Sequence, residues 1–149
     1  MGKISITRVV DVPVDVVFDY VDDYHNTTKY MQGLSRWNPT GDILHGKGAE
    51  FDVAMKAGPW DLGSVVEITR WSANKLIGWE SRSGFHQDGQ WAFHKQGNST
   101  ELTFTLEYEF PGGLAGKALS RGSEPIVRMN LEKSMDVLAQ KLETRRGRH

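Results

Sequence analysis

One apolar stripe near the C-terminus constrains this chain most, because it requires a large partner surface. Val127, Leu131, Met135, Leu138 and Leu142 recur at steps of three or four residues, which places them on one face of a helix. A helix of this kind is stable mainly because its apolar face packs against another element. The rest of the chain must therefore supply a second layer.

The region from residue 51 to residue 110 predicts that layer, since its apolar residues alternate with the period of β-strands. The clearest segment covers residues 102–110, where large apolar side chains alternate with threonine and glutamate. Further alternating segments cover residues 51–56, 62–72, 77–83 and 90–95. Such alternation is typical of an antiparallel sheet with one face in water and one face buried.

The first forty residues predict a strand and two short helices. Residues 3–12 alternate as a strand, and Pro13 then starts an amphipathic helix that reaches Val21. We expect a second helical segment from about Tyr24 to Gly33, and a short strand at residues 34–37 that the Asn38-Pro39 turn closes. The fold class is therefore α+β, with two short helices after the first strand and a sheet of six to seven antiparallel strands that curls around a long C-terminal helix.

Composition limits the kind of protein. The chain has 149 residues, of which 38% are hydrophobic and 25% are charged, and we interpret residues 1–149 as a single domain. The 18 basic and 19 acidic residues give a net charge of -1, so we expect no nucleic-acid partner. Without cysteine, signal-peptide pattern or apolar span, we expect a cytoplasmic protein with no stable membrane insertion, and the oligomeric state stays open.

The order of elements, together with several short motifs, resembles the START-related superfamily, also called SRPBCC. This superfamily includes birch-pollen-allergen-like proteins, polyketide cyclases/dehydrases and lipid-transport domains, which share the helix-grip fold. Four stretches carry the resemblance: residues 12–18 (VPVDVVF) with Asp22 and Asp23 following, residues 30–34 (YMQGL), residues 46–48 (GKG) before the strand at Phe51, and the terminal helix at residues 131–143. The resemblance implies a cavity between sheet and C-terminal helix that holds a hydrophobic small molecule, such as a lipid or a polyketide-like compound.

Large side chains on the expected inner faces are our candidates for the wall of this cavity. Together with two polar residues of the last helix, Asn130 and Ser134, they form the predicted ligand-binding set: Phe51, Met55, Trp79, Trp91, Phe93, Phe104, Tyr108, Val127, Asn130, Leu131 and Ser134. Simple core packing is the alternative for each aromatic residue, and a solvated helix flank is the alternative for Asn130 and Ser134.

Two other functions remain open at this point. The first is a cofactor-independent polyketide cyclase or dehydratase that shapes its substrate and transfers protons, for which Asn130, Ser134, Tyr108 and Arg36 are the candidates. The second is an interaction module that regulates a partner protein. We expect no metal site and no cofactor, because no histidine stands at metal-ligand spacing from a second ligand.

Pro125 predicts a boundary in the C-terminal helix. Proline cannot donate to the carbonyl of Arg121, so we expect residues 115–121 to form a separate turn or a kinked lead-in. Four glycines between residues 112 and 122 suggest that this segment acts as a gate over the cavity mouth.

Overall fold

The computed structural model describes residues 2–57, 60–109 and 113–146, without the side chains of residues 57, 60, 113–123, 145 and 146. Within these ranges the chain forms seven strands, three α-helices and one short 3-10 helix. In chain order they are β1 (Gly2–Val10), α1 (Val14–Asp22), the 3-10 helix (Tyr24–Asn26), α2 (Thr27–Tyr30), β2 (Leu34–Pro39), β3 (Glu50–Ala57), β4 (Trp60–Ser72), β5 (Leu76–Gly84), β6 (His86–Gln96), β7 (Ser99–Glu109) and α3 (Gly113–Arg146).

The strands form one antiparallel sheet in the order β1-β7-β6-β5-β4-β3-β2. Strands β1 and β2 lie at opposite edges, so α1, the 3-10 helix and α2 carry the chain from one edge to the other. Helix α3 contacts both β1 and β3, which are far apart in the strand order, and the sheet must curl to allow this. The predicted α+β helix-grip fold is confirmed.

The alternating pattern of β7 separates a dry face from a wet face. Its inner side chains from Leu102 to Tyr108 are 1–2% exposed. On the outer face, the hydroxyls of Thr7 and Thr103 lie 2.9 Å apart across β1 and β7. Cross-strand hydroxyl pairs of this kind stabilise the sheet on the side that faces water. The inner face is thereby left to form the core.

The apolar stripe of α3 is buried as its spacing predicts, with exposures between 0 and 7% from Val127 to Leu142. An ion pair fixes the helix to the sheet edge, since Arg8 Nε lies 3.0 Å from Asp136 Oδ1. Near the end of the helix, Glu143 accepts a 3.2 Å hydrogen bond from the backbone N–H of Asp11. These contacts hold α3 across the open side of the sheet.

The predicted boundary at Pro125 is wrong as regards a separate turn, because the helical backbone is continuous from Gly113 to Arg146 with Pro125 inside it. A proline inside a helix costs about 3 kcal/mol. Burial of a Leu- or Met-sized side chain contributes about 1.5–3 kcal/mol, so the stripe that follows Pro125 can hold the helix together. The gate suggested for residues 112–122 lies partly outside the described residues, and its side chains lie wholly outside them.

The expected second helix is shorter than its sequence pattern suggests. Asp23 accepts a hydrogen bond from the backbone N–H of His25 at 3.1 Å, which starts a 3-10 helix before α2 begins. Strand β2 continues to Pro39 instead of ending at Trp37. An edge strand tolerates proline, because the missing N–H can face away from the ladder.

No helix in the described part of the chain is long and apolar enough to cross a membrane.

Candidate functional site

A narrow cavity lies between the inner face of the sheet, the α1–α2 segment and the middle of α3. Its volume is about 60 Å³, counted as the space in which the centre of a water molecule fits, and the void between all lining atoms, open mouth included, is about 770 Å³. We call this the main cavity. Every strand except β1 contributes to its wall, and Leu131 closes it from the side of α3.

Aromatic and aliphatic side chains form most of the wall. The seven aromatic residues are Tyr24, Tyr30, Trp37, Phe51, Trp79, Trp91 and Phe104. Many of these rings also pack on one another: Trp91 and Phe104 have centroids 4.6 Å apart, and Trp37 stacks on Phe51 at 5.3 Å. Rings that support each other in this way hold a fixed shape, so a flat ligand would meet preformed surfaces.

A small polar group lies at the end of the cavity beside β5 and β6. The side-chain amide of Gln87 donates to the Ser64 hydroxyl at 3.0 Å and accepts from the indole N–H of Trp79 at 3.3 Å. Gln87 and Ser64 are each 5% exposed. Both the nitrogen and the oxygen of the Gln87 amide therefore have partners. This hydrogen-bonded group positions the Trp79 ring in the wall.

The Tyr30 hydroxyl is the other polar group deep in the wall. Tyr30 ends α2, is 0% exposed, and its buried hydroxyl forms no hydrogen bond with the described residues. Burial raises the pKa of Tyr30 well above its usual value, and the neighbouring Tyr20 raises it further. The hydroxyl therefore stays neutral at physiological pH and can donate or accept a hydrogen bond.

Two exposed residues of the lining, Leu44 and His45, belong to the loop that joins β2 and β3 beside the end of α1, and we call this part of the cavity its mouth. Asp22 stands on one side of it, where its Oδ1 accepts a 2.9 Å hydrogen bond from the Trp71 indole. Its Oδ2 lies 3.3 Å from Nδ1 of His45, which belongs to the loop on the other side. This contact across the mouth joins the loop to the end of α1.

A second histidine–aspartate pair lies just outside the mouth. His25 Nδ1 lies 2.8 Å from Asp23 Oδ1, and the hydrogen bond from His25 lowers the pKa of the Asp23 carboxyl. The Tyr24 ring stacks on the His25 ring with centroids 4.0 Å apart. Both members of the pair are at least half exposed, so the pair shapes the surface around the mouth and not the interior.

A second, smaller cavity lies between α3 and the β3–β4 end of the sheet. Its volume is about 10 Å³ by the same measure, which is about the space of a single water molecule. The wall includes Tyr108 and Asn130, and three of its residues also line the main cavity: Met55, Leu106 and Leu131. Burial raises the pKa of Tyr108, and the charge of Glu124 adds to this effect.

The structure places nine of the eleven predicted ligand-binding residues on the two cavities. Six line the main cavity: Phe51, Met55, Trp79, Trp91, Phe104 and Leu131. Five line the second cavity: Met55, Tyr108, Val127, Asn130 and Leu131. Phe93 and Ser134 line neither of them.

The positions of Phe93 and Ser134 have structural explanations. Phe93 packs edge-on against Phe18 of α1, with ring centroids 5.1 Å apart. The Ser134 hydroxyl donates to the carbonyl of Asn130 at 2.6 Å and accepts from the backbone N–H of Gln32 at 2.7 Å. Phe93 thus fastens α1 to the sheet, and Ser134 fastens α3 to the turn after α2.

Sequence reasoning missed Tyr30, Gln87 and the Asp22–His45 contact at the mouth. Tyr30 and Asp22 belong to stretches that carry the family resemblance, and this was the available signal for them. For Gln87 and His45 no such signal exists, because each becomes part of the site only through pairing with residues distant in sequence. Among the described residues, no group of three or more histidine and carboxylate side chains is arranged to hold a metal ion.

One protein family matches nearly the whole chain. A family model described as polyketide cyclase / dehydrase and lipid transport matches residues 1–143. No curated protein sequence matches the chain significantly.

Solved structures share the fold at low sequence identity. The protein TTHA0849 from Thermus thermophilus is 18% identical with a TM-score of 0.82, over 96% of this chain and 98% of that one. The Zhui aromatase/cyclase from a Streptomyces species is 14% identical with a TM-score of 0.80, over 97% and 94%. A START superfamily protein from Mycobacterium smegmatis is 16% identical with a TM-score of 0.71, over 95% and 97%.

Proposed function

The chain belongs to the polyketide cyclase/dehydrase and lipid-transport family, and on that premise we propose that it binds a hydrophobic small molecule in the main cavity. The aromatic lining of the cavity supports this proposal most. Seven rings and ten aliphatic or methionine side chains surround the space. Apolar surface of this kind favours transfer of an apolar ligand out of water.

The size of the cavity favours a compact ligand. The 60 Å³ open to water centres is roughly four times the ~10–15 Å³ that a single water needs. A compound of one or two rings fits such a space with small side-chain adjustments. A long acyl chain requires a larger rearrangement, so we propose a ring compound and not a fatty acid.

A cyclase or dehydratase activity, which the name of the Streptomyces relative suggests, has less support. Such an enzyme needs a group that exchanges a proton beside its substrate. Arg36 is half exposed and paired with Asp52 at 3.1 Å, and Ser134 is held by its two backbone contacts. Tyr108 and Asn130 line only the second cavity. The four candidate residues therefore lie away from the main cavity.

Tyr30 does line the main cavity, but its environment suits hydrogen bonding better than base catalysis. Burial raises its pKa, so the phenolate needed to remove a proton is scarce at neutral pH. We therefore propose a binding protein that acts in the cytoplasm, a location compatible with the absence of cysteine.

A pair of variants on one strand tests the proposal. Ile68 faces the main cavity and is 5% exposed, whereas Val65 lies on the opposite face of β4 and is only partly buried. Phenylalanine at position 68 fills the cavity, and phenylalanine at position 65 adds the same bulk outside it. We expect Ile68→Phe to weaken binding of naphthalene and 2-naphthol at least about tenfold, and Val65→Phe to leave it unchanged.

Tryptophan fluorescence gives the readout, because Trp37, Trp79 and Trp91 lie in the wall. Thermal unfolding gives a second one, since a ligand that binds only the folded protein raises the midpoint. Native mass spectrometry of the purified protein would identify a ligand that copurifies. The proposal fails if neither naphthalene nor 2-naphthol binds, or if both phenylalanine variants bind like the wild type.

A further inference from the structure

A buried tyrosine hydroxyl without a hydrogen-bond partner is costly, and Tyr30 places one in the wall of the main cavity. Its ring is held by neighbours on two sides, with the centroids of Tyr20 and Trp91 each 6.1 Å away. The hydroxyl is fully buried and no described residue bonds it. An unsatisfied buried donor costs about 1–3 kcal/mol, so such groups call for an explanation.

Thr27 is the neighbour that comes closest to satisfying this hydroxyl. It also lines the cavity, and its side chain offsets part of the rise in the pKa of Tyr30 that burial causes. No hydrogen bond of acceptable length and angle joins the two side chains, however. The Tyr30 hydroxyl therefore keeps its capacity to form a hydrogen bond, and Tyr30 is a residue of the cavity wall.

Three other polar side chains of the wall already have partners. Gln87 bonds Ser64 and Trp79. Asp22 and His45, the carboxylate and the imidazole of the wall, contact each other at the mouth. Among the described residues that line the cavity there is no lysine or arginine. A ligand carboxylate would therefore find no cationic partner among these described lining residues, which is unfavourable in an apolar space.

From these contacts we propose that Tyr30 determines the ligand specificity of the main cavity, by hydrogen-bonding a single oxygen of an uncharged ring compound. The inference rests on the proposed binding function and adds the group that selects the ligand. Neutral phenols and ring ketones satisfy Tyr30, hydrocarbons leave it unpaired, and ring carboxylates bring an uncompensated charge into the cavity.

Three probes of similar size separate these cases: 2-naphthol, naphthalene and 2-naphthoate. Their dissociation constants are measured at pH 7 for the wild type and for Tyr30→Phe, which keeps the ring and removes only the hydroxyl. We expect Tyr30→Phe to weaken 2-naphthol about five- to tenfold, which corresponds to one neutral hydrogen bond, and to leave naphthalene within about twofold. We expect 2-naphthoate to bind both proteins most weakly.

Tyr108→Phe is the matched control, because Tyr108 is also a buried tyrosine but lines only the second cavity. It should leave the affinity for 2-naphthol within about twofold. A further comparison needs no variant. The binding free energies of 2-naphthol and 2-methylnaphthalene are measured on the wild type and corrected for the transfer free energy of each compound from water. After this correction 2-naphthol should bind more tightly.

The inference is overturned, and the binding function stands, if all probes bind but Tyr30→Phe affects 2-naphthol and naphthalene equally. It is also overturned if 2-naphthoate binds best. Failure of every probe to bind overturns the proposed function as well as the inference.

Discussion

Gly89 of β6 lies directly opposite Trp79 of β5, and the Trp79 indole covers the space that a side chain at position 89 would occupy. A Cβ atom built on Gly89 would come closer than 3.0 Å to several atoms of the indole. The missing side chain therefore allows the ring to lie flat across its neighbouring strand. In this position Trp79 lines the main cavity and donates to Gln87.

Replacement of Gly89 by alanine should displace Trp79. We expect Gly89→Ala to lower the free energy of unfolding by about 1–3 kcal/mol, as overpacking in a core does, and to weaken binding of ring compounds. Gly41→Ala is the control, because nothing lies within 4 Å of a Cβ built there, and its stability should change by less than about 0.5 kcal/mol. Urea unfolding followed by fluorescence measures both. Equal stability of the two variants would contradict the proposed packing role of Gly89.

Ser134 should behave as a structural residue and not as a ligand contact. Its hydroxyl accepts from the Gln32 N–H at 2.7 Å, and removal of the hydroxyl leaves that donor without this partner. We expect Ser134→Ala to lower the free energy of unfolding by about 1–3 kcal/mol and to leave the affinity for 2-naphthol within about twofold. Lys133→Ala, at the exposed neighbouring position, should change neither quantity. A loss of affinity without a loss of stability in Ser134→Ala would favour a ligand contact instead.

Sequence periodicity predicted the layers of this fold because burial on one face leaves a regular signal. Leu102 to Tyr108 on β7 and the stripe from Val127 to Leu142 on α3 alternate or recur at the spacing of their element, and both are buried. The strand at Trp79 was predicted for the same reason. A buried apolar side chain at every second strand position, or at every third or fourth helix position, marks the inner face without knowledge of the residues it contacts.

The site was harder to predict, because its polar groups depend on distances between elements. Asn130 and Ser134 share a helix face with part of the apolar stripe, yet Ser134 uses its hydroxyl on two backbone groups. In the sequence Tyr30 cannot be distinguished from an ordinary core residue. Only the structure shows that its buried hydroxyl forms no hydrogen bond with the described residues. No pattern within β6 shows that Gln87 meets Ser64, 23 positions away in the sequence.

The alkaline pH dependence of stability should reveal the buried tyrosines. Burial raises the pKa of Tyr30 and of Tyr108, so above the ordinary tyrosine value of 10.0 the unfolded chain releases protons that the folded chain keeps. Each such group contributes stability that is present below pH 10 and is lost as the pH rises from there toward the folded pKa, at up to about 1.4 kcal/mol per pH unit.

Urea unfolding between pH 8 and pH 11 measures this loss. We expect the decline to be shallower in Tyr30→Phe than in the wild type, and shallower again in the Tyr30→Phe/Tyr108→Phe double variant. Each protein is compared with its own stability at pH 8, which removes the packing effect of the substitution. The same slope in all three proteins would mean that neither hydroxyl resists ionisation in the folded state.

Asp22 connects both sides of the cavity mouth, and its contact with His45 should control how fast a ligand passes. His45→Ala frees the β2–β3 loop while the Trp71 bond to Asp22 remains. An exposed pair of this kind contributes about 0–1 kcal/mol, so we expect 2-naphthol to associate and dissociate up to about fivefold faster. The dissociation constant should change by less than about twofold, because the contact lies at the mouth and away from Tyr30. Stopped-flow fluorescence measures the rates.

His25→Ala is the matched control for the mouth, since it removes a second exposed histidine from an aspartate pair that does not line the main cavity. Its rates should equal those of the wild type. If both alanine variants accelerate exchange equally, removal of an exposed histidine explains the effect, and the Asp22–His45 contact does not gate the cavity. If His45→Ala changes the affinity and leaves the rates alone, His45 contacts the bound ligand. Acceleration confined to His45→Ala assigns the entrance to the β2–β3 loop and not to the start of α3.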